Sequence, residues 1–343
     1  MSSDAKKTTL ILCASIYHLF VALMIIYSRD LSDKVFLLLT THEKAQYDVF
    51  LKIQPKLERL GIPFEIRLRN KKRELLGIEA IKSKQQIKRV FNLIGSEDFH
   101  FINFSWNFSG PFRTSASWYK ACNSAEFFEE GAMCNATPQD KKWKKTIKSF
   151  LGIRGDFYKD NKLESINVQK PELFPKEYSE KIKTLNLELT AKSLTRENQY
   201  KILSVFLDDN EIESIRQICS DNLIVLFTRP LSEDGYIDEN HKVQLYTTIY
   251  DYLSQRGRVV VKLHPRDKTN YYFTNSAILL GSDYPSELLL LFPVEFALAI
   301  GICTSAVISC KAKKSINLSK DYLKILDESF LKKLDKIIEA DCL

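Results

Sequence analysis

Short, unbroken apolar runs recur along this chain at Thr8–Cys13, Val35–Thr40, Phe99–Phe104, Leu223–Thr228, Val259–Leu263 and Phe296–Ile302, mostly separated by segments whose apolar residues have helical spacing. Runs this short and this rich in Val, Ile, Leu and Phe fit strands buried on both faces, and strands that alternate with helices build parallel sheets. The series occurs twice. Between the two, from Arg154 to Lys201, Pro171, Pro175 and many charges break the periodicity. The pattern therefore predicts an α/β protein with an N-terminal domain over 1–153, a connecting region over 154–201 holding one helix at Tyr178–Leu185, and a C-terminal domain over 202–343. A chain of 343 residues with 45% apolar content can bury the cores this requires.

Within the first series, helices are expected at Ala45–Leu60, Glu79–Ile94 and Thr114–Cys122, with further strands at Phe64–Leu68 and Ala125–Phe128. The second series adds helices Asn210–Ser220 and Lys242–Arg256, strand Ala277–Leu280, a short helix Ser286–Phe292 and a helix Thr304–Cys310. A last helix over Lys320–Ala340 puts Leu323, Leu326, Phe330 and Leu334 on one face. The start of the chain imitates a signal peptide, because Lys6 and Lys7 precede the apolar stretch Leu10–Ile26. Ser15, Tyr17 and His18 interrupt that stretch, and no small-residue cleavage site follows it before Ser28-Arg29-Asp30. A strand, a turn at Ala14–Tyr17 and a helix at His18–Tyr27 account for it as the opening of a β-α-β unit.

Composition narrows the setting. The seven cysteines show no Cys-x-x-Cys spacing, which points to reduced thiols rather than a disulfide framework or a zinc site. The formal charge of +7 is a mild bias toward anionic partners.

Three short motifs stand where strands end. Glu129-Glu130-Gly131 follows Ala125–Phe128 and places two carboxylates at a turn; either can accept a proton from an attacking hydroxyl. In Lys262-Leu263-His264-Pro265, Pro265 stops the strand, His264 sits at its rim, and Lys262, two residues earlier, shares its side. A protonated His264 there can hydrogen-bond a departing phosphate. Thr304-Ser305 opens the helix after Phe296–Ile302, where hydroxyls and free amides favour an anion. Each motif also has an ordinary reading, as an acidic turn, a strand-end histidine and an N-cap. In open α/β sheets the carboxyl ends of the strands are where ligands bind.

The order of these motifs resembles bacterial sialyltransferases that share a D/E-D/E-G motif, an HP motif and a following S/T-S pair. The start Leu12-Cys13-Ala14-Ser15-Ile16-Tyr17-His18-Leu19 is similar to that of the lipooligosaccharide sialyltransferases, glycosyltransferase family 52. The resemblance runs from Leu10 to about Cys310 and implies a GT-B fold, two Rossmann-like domains with parallel sheets facing a central cleft. It implies inverting transfer of sialic acid from CMP-sialic acid to a galactose-type hydroxyl of a surface glycan, lipooligosaccharide or capsule, with the N-terminal domain on the acceptor side and the C-terminal domain binding the nucleotide sugar. By position, Glu130 resembles the catalytic base, with Glu129 as the alternative. His264 resembles the residue that stabilises or protonates the CMP phosphate, Lys262 and Pro265 the residues beside the nucleotide, Thr304 and Ser305 the phosphate-binding hydroxyls, and Glu287 the acid that grips the ribose. No cofactor and no metal is expected: the leaving group carries one phosphate, and the chain has no Asp-x-Asp motif. The same scaffold also suits another nucleotide sugar, such as that of glucose, or a non-catalytic glycan- or nucleotide-binding protein.

In Lys141–Leu151, Trp143, Ile147, Phe150 and Leu151 share one helical face among lysines, a pattern that serves either core packing or an anionic membrane surface. The expected setting is cytoplasmic, at the inner face of the plasma membrane, with donor and glycan as partners, no nucleic acid, and room for a homodimer.

Overall fold

A computed structural model describes residues 8–70, 78–94, 98–104, 114–130, 160–174, 176–218, 222–275, 277–324 and 328–339. The chain divides into two compact units, Met1–Val205 and Phe206–Leu343.

The first unit runs β1 (Thr8–Cys13), α1 (Ile16–Ser28), β2 (Val35–Thr41), α2 (Lys44–Glu58), β3 (Phe64–Leu68), α3 (Ile78–Ile94), β4 (Phe99–Asn103), α4 (Thr114–Ala121), β5 (Ser124–Phe128), β6 (Leu163–Val168), β7 (Ile182–Thr184), α5 (Leu187–Ser193) and α6 (Arg196–Phe206). Its strands form one parallel sheet in the order β3-β2-β1-β4-β5-β6-β7. The chain builds outward from β1 to β3, then returns to add β4 on the other side of β1, so the direction of winding reverses between β1 and β4. Right-handed crossovers then put α1 and α2 on one face and α3 and α4 on the other. Alternation along the strands serves both layers: Leu10, Leu12, Phe36, Leu38, Phe99 and Phe101 pack with Ile87 and Val90 of α3 and Trp118 of α4.

The apolar stretch that imitates a signal peptide is β1 followed by the helix α1, which is buried over most of its length. Every residue of α1 from His18 to Ile26 is buried, because β1 lies under it while α2 and α5 pack on it. A helix covered on all sides has no need of a polar stripe. Ser15 caps it, its Oγ accepting the His18 N–H at 3.2 Å. Among the described residues no helix is long and apolar enough to cross a membrane.

The segment expected to connect two domains belongs to the first sheet. Strand β6 pairs in parallel with β5, and β7 with β6. The expected helix Tyr178–Leu185 is instead the end of a 3-10 turn, Lys176–Tyr178, followed by β7. Prolines and charges hid these strands because β7 is a short edge strand, where an exposed face tolerates Lys183. Residues of the basic segment 141–151 and Gly131 lie outside the described residues.

The second unit contains α7 (Asp209–Arg216), β8 (Leu223–Phe227), α8 (Glu239–Ser254), β9 (Arg258–Lys262), β10 (Ile278–Leu280), β11 (Phe296–Ile302), β12 (Ala312–Leu318) and α9 (Glu328–Glu339). Its parallel sheet has the order β10-β9-β8-β11-β12, with the reversal between β8 and β11. Tyr246 and Ile249 of α8 and Phe330 and Leu334 of α9 close the core over Leu226, Val261 and Ile300. Strand β12 was not anticipated: Ala312–Leu318 alternates more and less covered residues and carries four polar residues, as an edge strand can. The expected helix Thr304–Cys310 is only a 3-10 turn, Ser305–Ile308.

Candidate active site

The sequence motifs fall at the carboxyl ends of the two sheets, beside each reversal of winding, where an open parallel sheet leaves a crevice.

In the first unit the two glutamates after β5 are treated in opposite ways. Glu129 is 1% exposed. Its main-chain N–H donates to Asn167 O at 3.1 Å, and its carboxylate accepts the Gln169 N–H at 3.0 Å and the Gln169 side-chain amide at 2.6 Å. That amide also approaches the Tyr17 hydroxyl at 3.4 Å. Glu129 therefore ties the end of β5 to the loop after β6. Glu130, the next residue, is exposed. His18, which the sequence reading passed over, also reaches this turn: the Glu130 main chain hydrogen-bonds to its ring. A histidine and a tyrosine at the head of an otherwise apolar helix were the signal that marked it.

In the second unit the HP motif forms a tight turn. Strand β9 ends at Lys262, three residues before Pro265, so the proline does not stop the strand. It occupies the corner of a turn closed by Asp267 N–H to His264 O at 2.9 Å. The turn is anchored from beneath by Lys242, whose Nζ donates to Glu233 at 2.7 Å and to Asp267 at 2.8 Å. Both the Lys242 and Asp267 side chains are fully buried, and Tyr271 donates to the second Asp267 oxygen at 2.8 Å.

His264 is half-buried. Its main-chain N–H donates to Thr228 Oγ1 at 3.1 Å, and its Nδ1 accepts the Arg266 N–H at 3.1 Å. Occupation of Nδ1 puts the proton of the neutral ring on Nε2. Burial, with the charges of Arg266 and Lys262, pushes the imidazole down to about 4. The free histidine is thus a neutral Nε2–H donor, not the imidazolium expected from the sequence.

Lys262 is enclosed. It is 3% exposed and spends its ammonium on three carbonyls, Leu263 at 3.1 Å, Gly281 at 2.6 Å and Tyr284 at 2.9 Å. It also lies over the Tyr284 ring, 4.2 Å from the centroid. Burial lowers its pKa to about 7 against the pull of Glu287 and Asp283. With three donors and three acceptors filled, it organises the loop after β10 and has no N–H to offer a nucleotide in this arrangement.

Glu287 is 8% exposed and lies in the first turn of the 3-10 segment Ser286–Leu291. Burial raises its carboxyl, while its own N–H, Ser309, Ser286 and Lys262 work against that shift. The Ser309 link brings Glu287 beside the turn that Thr304 opens. The Thr304 hydroxyl accepts Ala306 N–H at 3.3 Å, which leaves its O–H to donate, and its own N–H donates to Asn317 Oδ1 at 3.0 Å. It caps this turn, and Ser305 beside it is half-buried with no bond from its hydroxyl to the described residues. Ahead of this pair, Cys303 adopts the left-handed φ of 49°, and Arg229 Nη1 donates to its carbonyl across the β8–β11 reversal. Strain of this kind persists where the surroundings hold it. Gly301 permits the bend: a Cβ there would collide with Thr304 Cγ2 and press on Phe227 O at 3.2 Å. Thr228 and Arg229 were missed because they follow β8 without a recognisable motif; polar residues directly after a buried parallel strand were the available clue.

For a metal, the described residues offer His100, Glu126 and Glu164, whose ligand atoms lie within 4.8 Å of one another. Glu126 is already paired with Arg29 at 3.0 Å, and the group sits along the strands rather than at their carboxyl ends.

Comparisons with known proteins bear on the fold and the family. Three solved structures share the architecture at 12% identity: an α/β-galactoside α-2,3-sialyltransferase of Photobacterium phosphoreum (TM-score 0.59, covering 90% of each chain), a Photobacterium 2,6-sialyltransferase solved with CMP and lactose (0.57, covering 96% of this chain and 76% of that one), and the GT-B domain of a Photobacterium damselae sialyltransferase (0.56, 96% and 97%). They establish a GT-B fold. An uncharacterized protein of Haemophilus influenzae is 31% identical over 176 residues, 51% of this chain and 56% of its own length, so the chain spans about half of that curated relative. The profile of glycosyltransferase family 52 matches residues 118–320, which include the acidic turn, the HP turn and the Thr304-Ser305 pair. With more than half of its length so matched, the chain belongs to glycosyltransferase family 52.

Proposed function

We propose that the protein is a sialyltransferase that moves sialic acid from CMP-sialic acid to a galactose-type hydroxyl of a bacterial surface glycan, with inversion and without a metal. The observation that carries this reading is His264, held by Arg266 so that one N–H points away from its own turn, in a chain of family 52. Two of the structural relatives support the choice of substrates, one being a galactoside sialyltransferase and the other solved with CMP and lactose.

The exposed Glu130 takes the proton of the acceptor hydroxyl as its oxygen attacks the anomeric carbon. The bond from that carbon to the phosphate oxygen breaks, and the electron pair leaves with CMP. His264 Nε2–H hydrogen-bonds the phosphate as its charge grows, with Ser305 as a second donor. An approaching phosphate favours the imidazolium, so His264 can pass a proton to the leaving group after binding has raised its pKa. Glu287 serves the ribose hydroxyls, while Lys262, Pro265, Thr304 and Glu129 hold the loops that present these groups. The working location we propose is the cytoplasmic side of the membrane, with the basic segment Lys141–Leu151 as the membrane contact, which sedimentation with anionic liposomes measures.

The test is donor turnover. Purified protein is incubated with CMP-sialic acid and lactose, and separately with UDP-glucose, and free nucleotide is followed. CMP release that depends on lactose and persists in EDTA is expected. Release of UDP alone moves the donor assignment, and release of neither nucleotide removes the enzyme reading.

A further inference from the structure

The turn between β1 and α1 carries a residue that the reaction above leaves unassigned. His18 is 6% exposed, and its ring meets three segments far apart in sequence. Nδ1 accepts the Ala14 N–H at 3.1 Å. The ring stacks flat on Phe104, just after β4, with centroids 4.7 Å apart and planes 9° apart. The third contact is the Glu130 main chain after β5, and it favours the protonated ring, which identifies the partner as an acceptor, the Glu130 carbonyl. With the Nδ1 lone pair taken, the neutral ring carries its proton on Nε2, the atom that can serve this carbonyl.

Resting on the transferase reading, we infer that His18 is a positioning residue: its Nε2–H pins the Glu130 main chain to the β1–α1 turn and so sets where the Glu130 carboxylate stands. The turn is held from two sides. Gln169 and Asn167 grip Glu129 from the β6 side, and His18 grips Glu130 from the β1 side. Phe104 fixes the plane of the ring, and burial pushes it down to about 3, so the ring stays neutral in ordinary buffers. A displacement of the main chain carries the carboxylate with it, and a misplacement of about 1 Å costs roughly 10²-fold in rate.

Two substitutions separate this role from a merely structural one. Glutamine places an amide N–H near the position of Nε2 and can still serve the Glu130 carbonyl. Asparagine keeps an acceptor for Ala14 but does not reach Glu130. In steady-state transfer from CMP-sialic acid to lactose, His18→Asn is expected to lower kcat by about 10²-fold with KM for the donor and CMP affinity unchanged, while His18→Gln stays within about tenfold of wild type. Full activity in His18→Asn, or equal impairment of both variants, overturns the inference. If the wild-type protein releases no CMP, the transferase reading has failed, and imidazole spectra decide His18 separately. With five histidines in the chain, ¹⁵N-histidine signals are assigned by comparison with His18→Asn. A neutral Nε2–H ring at about pH 5 supports the geometry, and an imidazolium or an Nδ1–H tautomer there overturns it.

Discussion

The carboxyl ends of the two sheets hold their chemistry by different means. In the first unit the acidic turn is placed by a neutral imidazole, an amide side chain and main-chain groups: His18, Gln169 and Asn167. In the second unit the corresponding loops stand on buried charge, with Lys242 between Glu233 and Asp267 under the HP turn and Lys262 caged by carbonyls. The difference teaches that a shared strand-end location does not imply a shared sensitivity. Leaving a buried hydrogen-bonding group without its partner costs about 1–3 kcal/mol, while a buried ion pair that loses one member costs about 3–5 kcal/mol.

The largest effect is expected at the exposed carboxylate. Glu130→Gln should reduce transfer by roughly 10² to 10⁴-fold while CMP binding is retained, since a general base contributes about that much. Glu129→Gln should cost far less activity; a loss as large as that of Glu130→Gln would reverse the two roles. Next is the charged anchor. Lys242→Met strands Asp267 without a counter-charge and should destabilise the protein by about 3–5 kcal/mol in urea unfolding. A cost below about 1 kcal/mol would erase the contrast between the two ends, because it would make the charged support no stiffer than the neutral one.

Gly301→Ala is expected to cost about 1–3 kcal/mol, because the new methyl meets Thr304 and the Phe227 carbonyl. CMP affinity should fall with it, and unchanged affinity would detach the Thr304-Ser305 turn from the donor. The smallest effect concerns acid. Burial holds His18 at about 3 and His264 at about 4 in the folded protein, both below the value of about 6.5 in an unfolded chain. Unfolding therefore takes up protons below about pH 6.5, so this stability is complete above that pH and declines as pH falls toward 4. Glu233 adds a later loss. Burial works to raise its carboxyl, but Lys242, the Lys268 N–H and other donors hold it at about 2, so its contribution fades only as pH drops below about 4.5 toward 2. Denaturation series at stepped pH should show the histidine phase weakened in His18→Asn, and an unchanged profile would mean that His18 is not buried as a neutral ring.

Much of this was legible before any coordinates. Strands β1, β3 and β11 match their expected bounds to the residue, and for β1 and β11 the reason is that a strand buried on both faces announces itself locally. The location of Glu129-Glu130, His264 and Thr304-Ser305 after such strands followed from the same runs. Edge strands β7 and β12 did not, since half of their residues face away from the core and look like loop.

What the sequence determined by itself is the parallel α/β architecture and the strand ends at which chemistry-bearing residues gather, because both depend on periodicities within short segments. Only the tertiary structure decided which of two adjacent glutamates is buried, that Lys262 is enclosed, that Thr304 is a cap, and which nitrogen of His18 and of His264 bears the proton. Those outcomes depend on hydrogen-bond partners contributed by residues such as Gln169, Gly281 and Arg266, and partners that meet only when the chain is folded leave no periodic trace.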